Sequence, residues 1–201
     1  LKLSNAWTTY ELFFHELESK ESEVIFEDNR VIVRTIPLKH RVYTNGFLFQ
    51  EKPGERKLNV EAVQQYDIHT AYYQKIKNGG DITLDDGTVI ENEKLSFDPI
   101  PPMSYAFCSD TVYHEAVISI IKDVDVLYHE ATFLESEAAL AQKTLHSTAK
   151  EAATIALKAN AKQLVLGHYS TRYDGIERFK EEAAEIFPNV LLGDDGRSFE
   201  F

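Results

Sequence analysis

Residues 124–173 read VDVLYHEATFLESEAALAQKTLHSTAKEAATIALKANAKQLVLGHYSTRY. Two short apolar runs, Val124 to Tyr128 and Leu164 to Gly167, end abruptly on His129 and His168. Between them, Ser147 reads as a helix N-cap, Ala152, Ile155, Ala156 and Ala159 form a helical apolar stripe, and Asn160 is a stop. A second helix is expected over Glu137 to Lys143. The order strand, helix, strand is that of parallel strands joined by crossover helices packed on a sheet.

Working outward, the unit repeats. Met103 to Cys108 is an apolar run followed by a helical pattern from Tyr113 to Ile121, on which Ala116, Val117 and Ile120 share a face. Beyond His168 a loop through Tyr173 leads to a helix from Gly175 to Ile186, stopped by Pro188, and to a strand at Val190-Leu191-Leu192. Upstream, Glu11 to Phe14, Glu23 to Phe26, Arg30 to Ile36 and Gly46 to Phe49 read as β structure, which makes the sheet mixed rather than purely parallel. Residues 50–102 are polar and turn-rich, with a short helix expected at Tyr72 to Lys77 and a hairpin from Ile82 to Ile90 around Asp86-Gly87. An excursion of that length between two core regions is more often functional than idle.

Composition narrows the class. A chain of 201 residues, 43% hydrophobic, can bury one ordinary core, and its formal charge of −12 argues against a general nucleic-acid or anionic-membrane surface. The excursion's Lys52, Arg56, Lys57, Lys75 and Lys77 come nearest to a basic patch, among acidic neighbours. A single cysteine, Cys108, excludes an internal disulfide, fits a reducing, cytoplasmic setting and reads as a small buried hydrophobe. No apolar run is long enough to span a bilayer as a helix, so no membrane partner is expected.

Ligands of open α/β sheets collect outside the carboxyl ends of strands. Asp110, His129 and His168 fall at such ends, and His40 follows a strand as well. Taken alone, His40 would read as an idle loop histidine; the convergence raises it above that. His15, inside the run Leu12 to Leu17, reads as structural. Histidines with a carboxylate are a ligand set of hydrolytic zinc, and an aspartate among them suits a bridge between two metals. Glu130 and His146 could serve proton transfer. A Ser-His-Asp hydrolase is disfavoured by the lack of Gly-x-Ser-x-Gly, and nucleotide sites by the lack of their glycine-rich loops. The residues alone therefore reach a metal hydrolase.

At Leu38-Lys39-His40-Arg41-Val42, Gly46-Phe47, Cys108-Ser109-Asp110-Thr111, His129-Glu130-Ala131-Thr132-Phe133, His146-Ser147-Thr148-Ala149 and Gly167 to Tyr173, the chain resembles ribonuclease Z, the tRNA 3′-end processing endonuclease of the metallo-β-lactamase superfamily. The resemblance implies an α/β fold, the αββα sandwich with mixed sheets, of which residues 1–201 would be the C-terminal portion of a single domain and 50–102 a protruding arm. It implies metal ligation by His40, Asp110 and His168, proton handling by Glu130 and His146, and His129 as a structural partner within its motif. It further implies two zinc ions, precursor tRNA or another phosphodiester as substrate, and a homodimer.

Two departures shape the expectations. The family's His-x-His-x-Asp-His motif is absent; it would lie before Leu1, so the chain reads as the later two thirds of the family's length, with little metal affinity or activity of its own. Where the family's tRNA-gripping arm carries Gly-Pro, this chain has Thr70-Ala71. Alternatives are a metallo-β-lactamase-fold hydrolase of another phosphodiester or small molecule, or an inactive binding or dimerisation module.

Overall fold

The computed structural model describes residues 9–201, so the first eight residues of the expected 1–201 unit lie outside it. In chain order, β1 (Val24–Glu27), β2 (Val31–Pro37) and β3 (Asn45–Glu51) form an antiparallel meander. The chain then leaves the sheet through β4 (Lys57–Leu58), α1 (Val60–Gln65), α2 (Tyr73–Lys77), β5 (Ile82–Thr83), β6 (Val89–Ile90), α3 (Asn92–Leu95) and β7 (Ser96–Phe97). It returns as β8 (Ser104–Cys108), β9 (Val126–Glu130), α4 (Ala138–Thr144), α5 (Ala149–Lys158), β10 (Gln163–Gly167), α6 (Glu177–Ala184) and β11 (Val190–Leu192).

Seven strands pair in the order β1-β2-β3-β8-β9-β10-β11, antiparallel up to β8 and parallel from β8 onward, so the expected mixed sheet is present. Because β3 opposes both β2 and β8, β2 runs in the same direction as β8, β9 and β10. The carboxyl ends of all four therefore lie along one edge of the sheet.

Alternation divides the sheet into two faces. Leu48, Ala106, Leu127, Leu164 and Leu166 pack with Ala152, Ile155, Ala156 and Phe179 into one continuous core beneath α5 and α6. The alanine stripe is what lets α5 approach the strands closely. Phe49, Tyr105, Tyr128 and Val165 line clefts on the opposite face, which no helix covers among the described residues. In an αββα sandwich that aromatic face is where a second sheet packs.

The start of α5 differs from expectation by one residue. Thr148, not Ser147, is the N-cap, and with Glu151 it makes a reciprocal capping box worth about 1 kcal/mol. The stretch expected as a helix over Tyr113 to Ile121 forms only a single 3₁₀ turn at Glu115–Val117. Its β-branched Val117, Ile118, Ile120 and Ile121 favour burial in extended or irregular backbone over a helix. Residues 11–14 pair with no strand among the described residues, and Phe13 and Phe14 are exposed. Four consecutive large residues lack the alternation a half-buried strand needs. His15 is exposed too, so it is not a core histidine.

The excursion has its own small core of Val63, Ile68, Ile76, Ile82, Ile90 and Leu95, distinct from the main one. Buried Asn92 ties it together, donating to the Ile76 carbonyl at 2.7 Å and accepting from Ser96 Oγ at 2.7 Å.

Candidate functional site

The loops that follow β2, β8, β9 and β10 deliver His40, Asp110, Thr132 and His168 to the common edge, and the α4–α5 turn brings in His146. Two glycines permit the approach. A Cβ on Gly46 would meet the Phe107 carbonyl oxygen at 2.2 Å, so β3 could not close on β8. One on Gly167 would meet Tyr128 Oη at 2.2 Å, just before His168. Asp110, Leu145 and His168 all take left-handed backbone, with φ of 58°, 61° and 59°. None is glycine, so each carries strain of about 1–3 kcal/mol that the surrounding structure must hold. Left-handed Leu145 closes α4 where glycine or asparagine would be usual.

Glu130 is the hub. Its carboxylate is fully buried and receives four donors: the Thr111 amide at 2.7 Å, the Ser147 amide at 3.1 Å, the Thr132 hydroxyl at 2.6 Å and His146 Nδ1 at 2.8 Å. One side chain thus joins the loops after β8 and β9 and the turn into α5. Ser147 reinforces this, its hydroxyl donating to the Thr111 carbonyl at 2.7 Å. Neighbouring His129 is buried, with Nδ1 donating to the Glu130 carbonyl at 2.8 Å, and burial holds its pKa below the ordinary histidine value. Burial likewise pushes the Cys108 thiol up to about 12, as suits the inert hydrophobe expected there.

The three other histidines at this edge share a pattern. His40 Nδ1 donates to the Leu145 carbonyl at 2.9 Å and His146 Nδ1 to Glu130, both oxygens being acceptors only. His168 Nδ1 lies 2.9 Å from the Thr132 hydroxyl. With Nδ1 donating, His40 and His146 each keep a lone pair on Nε2; at His168 the Thr132 hydroxyl can donate or accept, so the tautomer there depends on the other contacts of that hydroxyl. Metal-ligating histidines are held in this way. His168 Nε2 faces Asp110 Oδ1 at 3.3 Å, an arrangement that positive charge between the two atoms would stabilise.

The ligand atoms of His40, Asp110 and His146 all lie within 4.8 Å of one another, as do those of Glu130, His146 and His168. Asp110 thus lies near His40 on one side and His168 on the other. His146 sits between the other two imidazoles, its ring 4.9 Å from that of His40 and 5.3 Å from that of His168. Glu130 is the poorest candidate ligand of these, because four donors already occupy its oxygens. The nitrogen and oxygen donors of His40, Asp110 and His168 fit zinc.

No family model matches the chain. The ribonuclease Z of Parabacteroides distasonis is 44% identical over 187 residues, 93% of this chain and 62% of that protein. The ribonuclease Z of Cytophaga hutchinsonii is 42% identical over 200 residues, 99% of this chain and 64% of that protein. The chain is similar to ribonuclease Z. It spans 58–64% of the length of such curated relatives. Among solved structures, the metallo-β-lactamase fold protein YhfI of Bacillus subtilis superposes with a TM-score of 0.56 at 14% identity, over 87% of this chain and 51% of that one. A long-form ribonuclease Z from yeast gives 0.53 at 18% identity, over 83% and 17%. The fold is the metallo-β-lactamase fold, as expected.

The five candidate site residues come together at this edge, although the groups within ligand distance among the described residues each include His146 and neither unites His40, Asp110 and His168. Sequence alone marks no site role for Thr111, Thr132 or the Leu145 carbonyl and marks Ser147 only as a helix cap, yet these four hold the five in place. Thr111, Thr132 and Ser147 stand inside the quoted motifs; a backbone carbonyl leaves no sequence signal.

Proposed function

We propose that the intact protein is a zinc-dependent endoribonuclease that cleaves precursor tRNA at the 3′ end, with His40, Asp110 and His168 holding metal and His146 handling the proton of the leaving group. The observation that carries this reading is the convergence of three imidazoles, each with Nδ1 against a neighbouring oxygen and Nε2 free of other side chains' donors, around Asp110. The likeness to ribonuclease Z supports it independently. Bound there, zinc would supply Lewis acidity at the phosphoryl oxygens and an acidified water.

This chain's own residues do the positioning. Glu130 fixes His146 through Nδ1, so Nε2 is where a proton is taken or given. Asp110 lies within reach of both His40 and His168 and would hold metal together with them. A homodimer and a cytoplasmic setting, expected from the sequence resemblance, belong to the same proposal. Among the described residues no helix is long and apolar enough to cross a membrane.

A second reading keeps the fold and the metal but takes another phosphodiester. The excursion carries six Lys/Arg against ten Asp/Glu. Four of those cations are paired: Lys52 with Glu27, Arg56 with Asp98, Lys77 with Glu55 and Lys94 with Glu91. Little free positive charge is left there for an RNA backbone.

Assaying the intact, zinc-loaded protein on precursor tRNA and on bis(p-nitrophenyl) phosphate separates the two. Endonucleolytic cleavage at the tRNA 3′ end supports the first reading. Hydrolysis of the small diester with no cleavage of precursor tRNA supports the second, and inactivity on both refutes both.

A further inference from the structure

The Thr132 hydroxyl has three polar neighbours and one proton. Glu130 Oε2 is 2.6 Å away, His168 Nδ1 2.9 Å and the His168 carbonyl 3.0 Å. The shortest contact, to a buried carboxylate, takes the hydroxyl proton, because a charged acceptor makes the stronger bond. The hydroxyl oxygen is then free to accept, and of its two other neighbours only His168 Nδ1 can donate. From this we infer that Thr132 is a positioning residue: it holds His168 as the Nδ1–H tautomer and passes to it the influence of Glu130.

The consequence is economical in residues. One buried carboxylate sets two imidazoles, His146 directly and His168 through a hydroxyl. Were Thr132 to donate to Nδ1 instead, Nε2 would carry the proton, the lone pair facing Asp110 would vanish and Glu130 would lose a donor. Thr132 is itself held. It is buried, and its carbonyl accepts from the Ser170 amide at 3.1 Å, locking the loop after β9 to the loop that carries His168. Valine would fill nearly the same space with no hydroxyl, whereas serine keeps the hydroxyl and loses a methyl.

The effect on metal rests on reading His168 as a ligand; the tautomer rests on hydrogen-bond geometry alone. The test uses the full-length protein labelled with ¹⁵N-histidine and stripped of metal, at about pH 8, where histidines are ordinarily neutral. Two-bond ¹H–¹⁵N spectra report the tautomer, and the His168 signals are assigned by their loss in His168→Gln. The wild type is expected to show Nδ1 protonated, Thr132→Ser to keep that state, and Thr132→Val to move towards Nε2–H. Zinc affinity, read by competition with a chromophoric chelator, should fall about 10–100-fold in Thr132→Val and be largely kept in Thr132→Ser.

An Nε2–H tautomer in the wild type overturns the inference even if Thr132→Val fails to fold. An unchanged tautomer in a folded Thr132→Val overturns it as well. A switched tautomer with unchanged zinc affinity supports the role of Thr132 and overturns His168 as a ligand, so the two readings fail separately.

Discussion

Replacing Glu130 with glutamine is expected to destabilise the protein by about 3–6 kcal/mol, since two hydrogen bonds to a charged acceptor are lost at roughly 1.5–3 kcal/mol each. Glutamine keeps the size of the side chain but turns one acceptor oxygen into an NH₂ donor. With nitrogen at the Oε1 position it confronts the Thr111 amide and His146 Nδ1; at the Oε2 position it confronts the Ser147 amide and the Thr132 hydroxyl. Either way one of the stranded donors is a backbone amide that cannot turn away. The second orientation lies nearer the low end of the range, because Thr132 can swing to the His168 carbonyl at 3.0 Å. Urea unfolding followed by far-ultraviolet circular dichroism measures the loss, with exposed Glu181→Gln on α6 as the control. A Glu130 that met solvent as a proton carrier would behave differently: turnover would collapse while stability changed by no more than about 0.5 kcal/mol, as at ordinary surface positions. A measured loss below about 1 kcal/mol refutes the buried hub.

Asp110→Ala and His168→Ala are each expected to remove most zinc from the intact protein; full occupancy by elemental analysis in either variant removes that residue from the ligand set. His146→Ala should lower turnover by about 10²–10⁴-fold, the range of general acid–base catalysis, while metal content holds. Loss of zinc in that variant would make His146 a ligand, which its closeness to His40 and Asp110 allows. A pH effect follows from His129, whose pKa burial lowers from the ordinary 6.5. The unfolded chain takes up a proton there that the folded one refuses, so stability is fully present above 6.5 and falls below it, by up to about 1.4 kcal/mol per pH unit. Urea midpoints at several pH values should show this slope flattened in His129→Gln, and an equal slope in both proteins counts against it.

The parallel half of the sheet was legible because its signals are local. Each strand is a short apolar run, each stop is abrupt, and the α5 stripe of Ala152, Ile155, Ala156 and Ala159 keeps helical period over about two turns. Where the reading failed, a local signal met a tertiary constraint. Of the expected helix face, Val117 is buried but Ile120 is only half-buried and Ala116 exposed, and β-branching left a single 3₁₀ turn. At α5, Ser147 and Thr148 are both good caps, and only tertiary structure decides between them: Ser147 is drawn off to the Thr111 carbonyl, leaving Thr148 to cap. Leu12 to Leu17 drew His15 into an apolar run, but among the described residues the run pairs with no strand, and Leu12 to Glu16 are exposed.

The site was legible in its ends and not in its middle. His40, Asp110, Glu130, His146 and His168 carry chemistry in their side chains; position after a strand marks His40, Asp110 and His168 but marks His129 equally, and the resemblance in the quoted motifs is what sets His129 apart and gives Glu130 and His146 their role. What orders them is a set of acceptors and donors: two backbone amides and the Leu145 carbonyl, which sequence does not mark, and the hydroxyl of Thr132, which stands in a quoted motif with no sign of its task. The physical reason for so much second-line bonding is the backbone itself. Asp110 and His168 sit on left-handed residues with no glycine to relieve them, and Leu145, whose carbonyl orients His40, is a third. Such strain persists only where several contacts over-determine the conformation. The Glu130 carboxylate supplies contacts on every side of it, to the residue after Asp110, to the two residues after Leu145 and, through Thr132, to His168. Holding the strained loops and setting the imidazole tautomers are thus one task performed by one buried charge, and substitution there should weaken fold and site together.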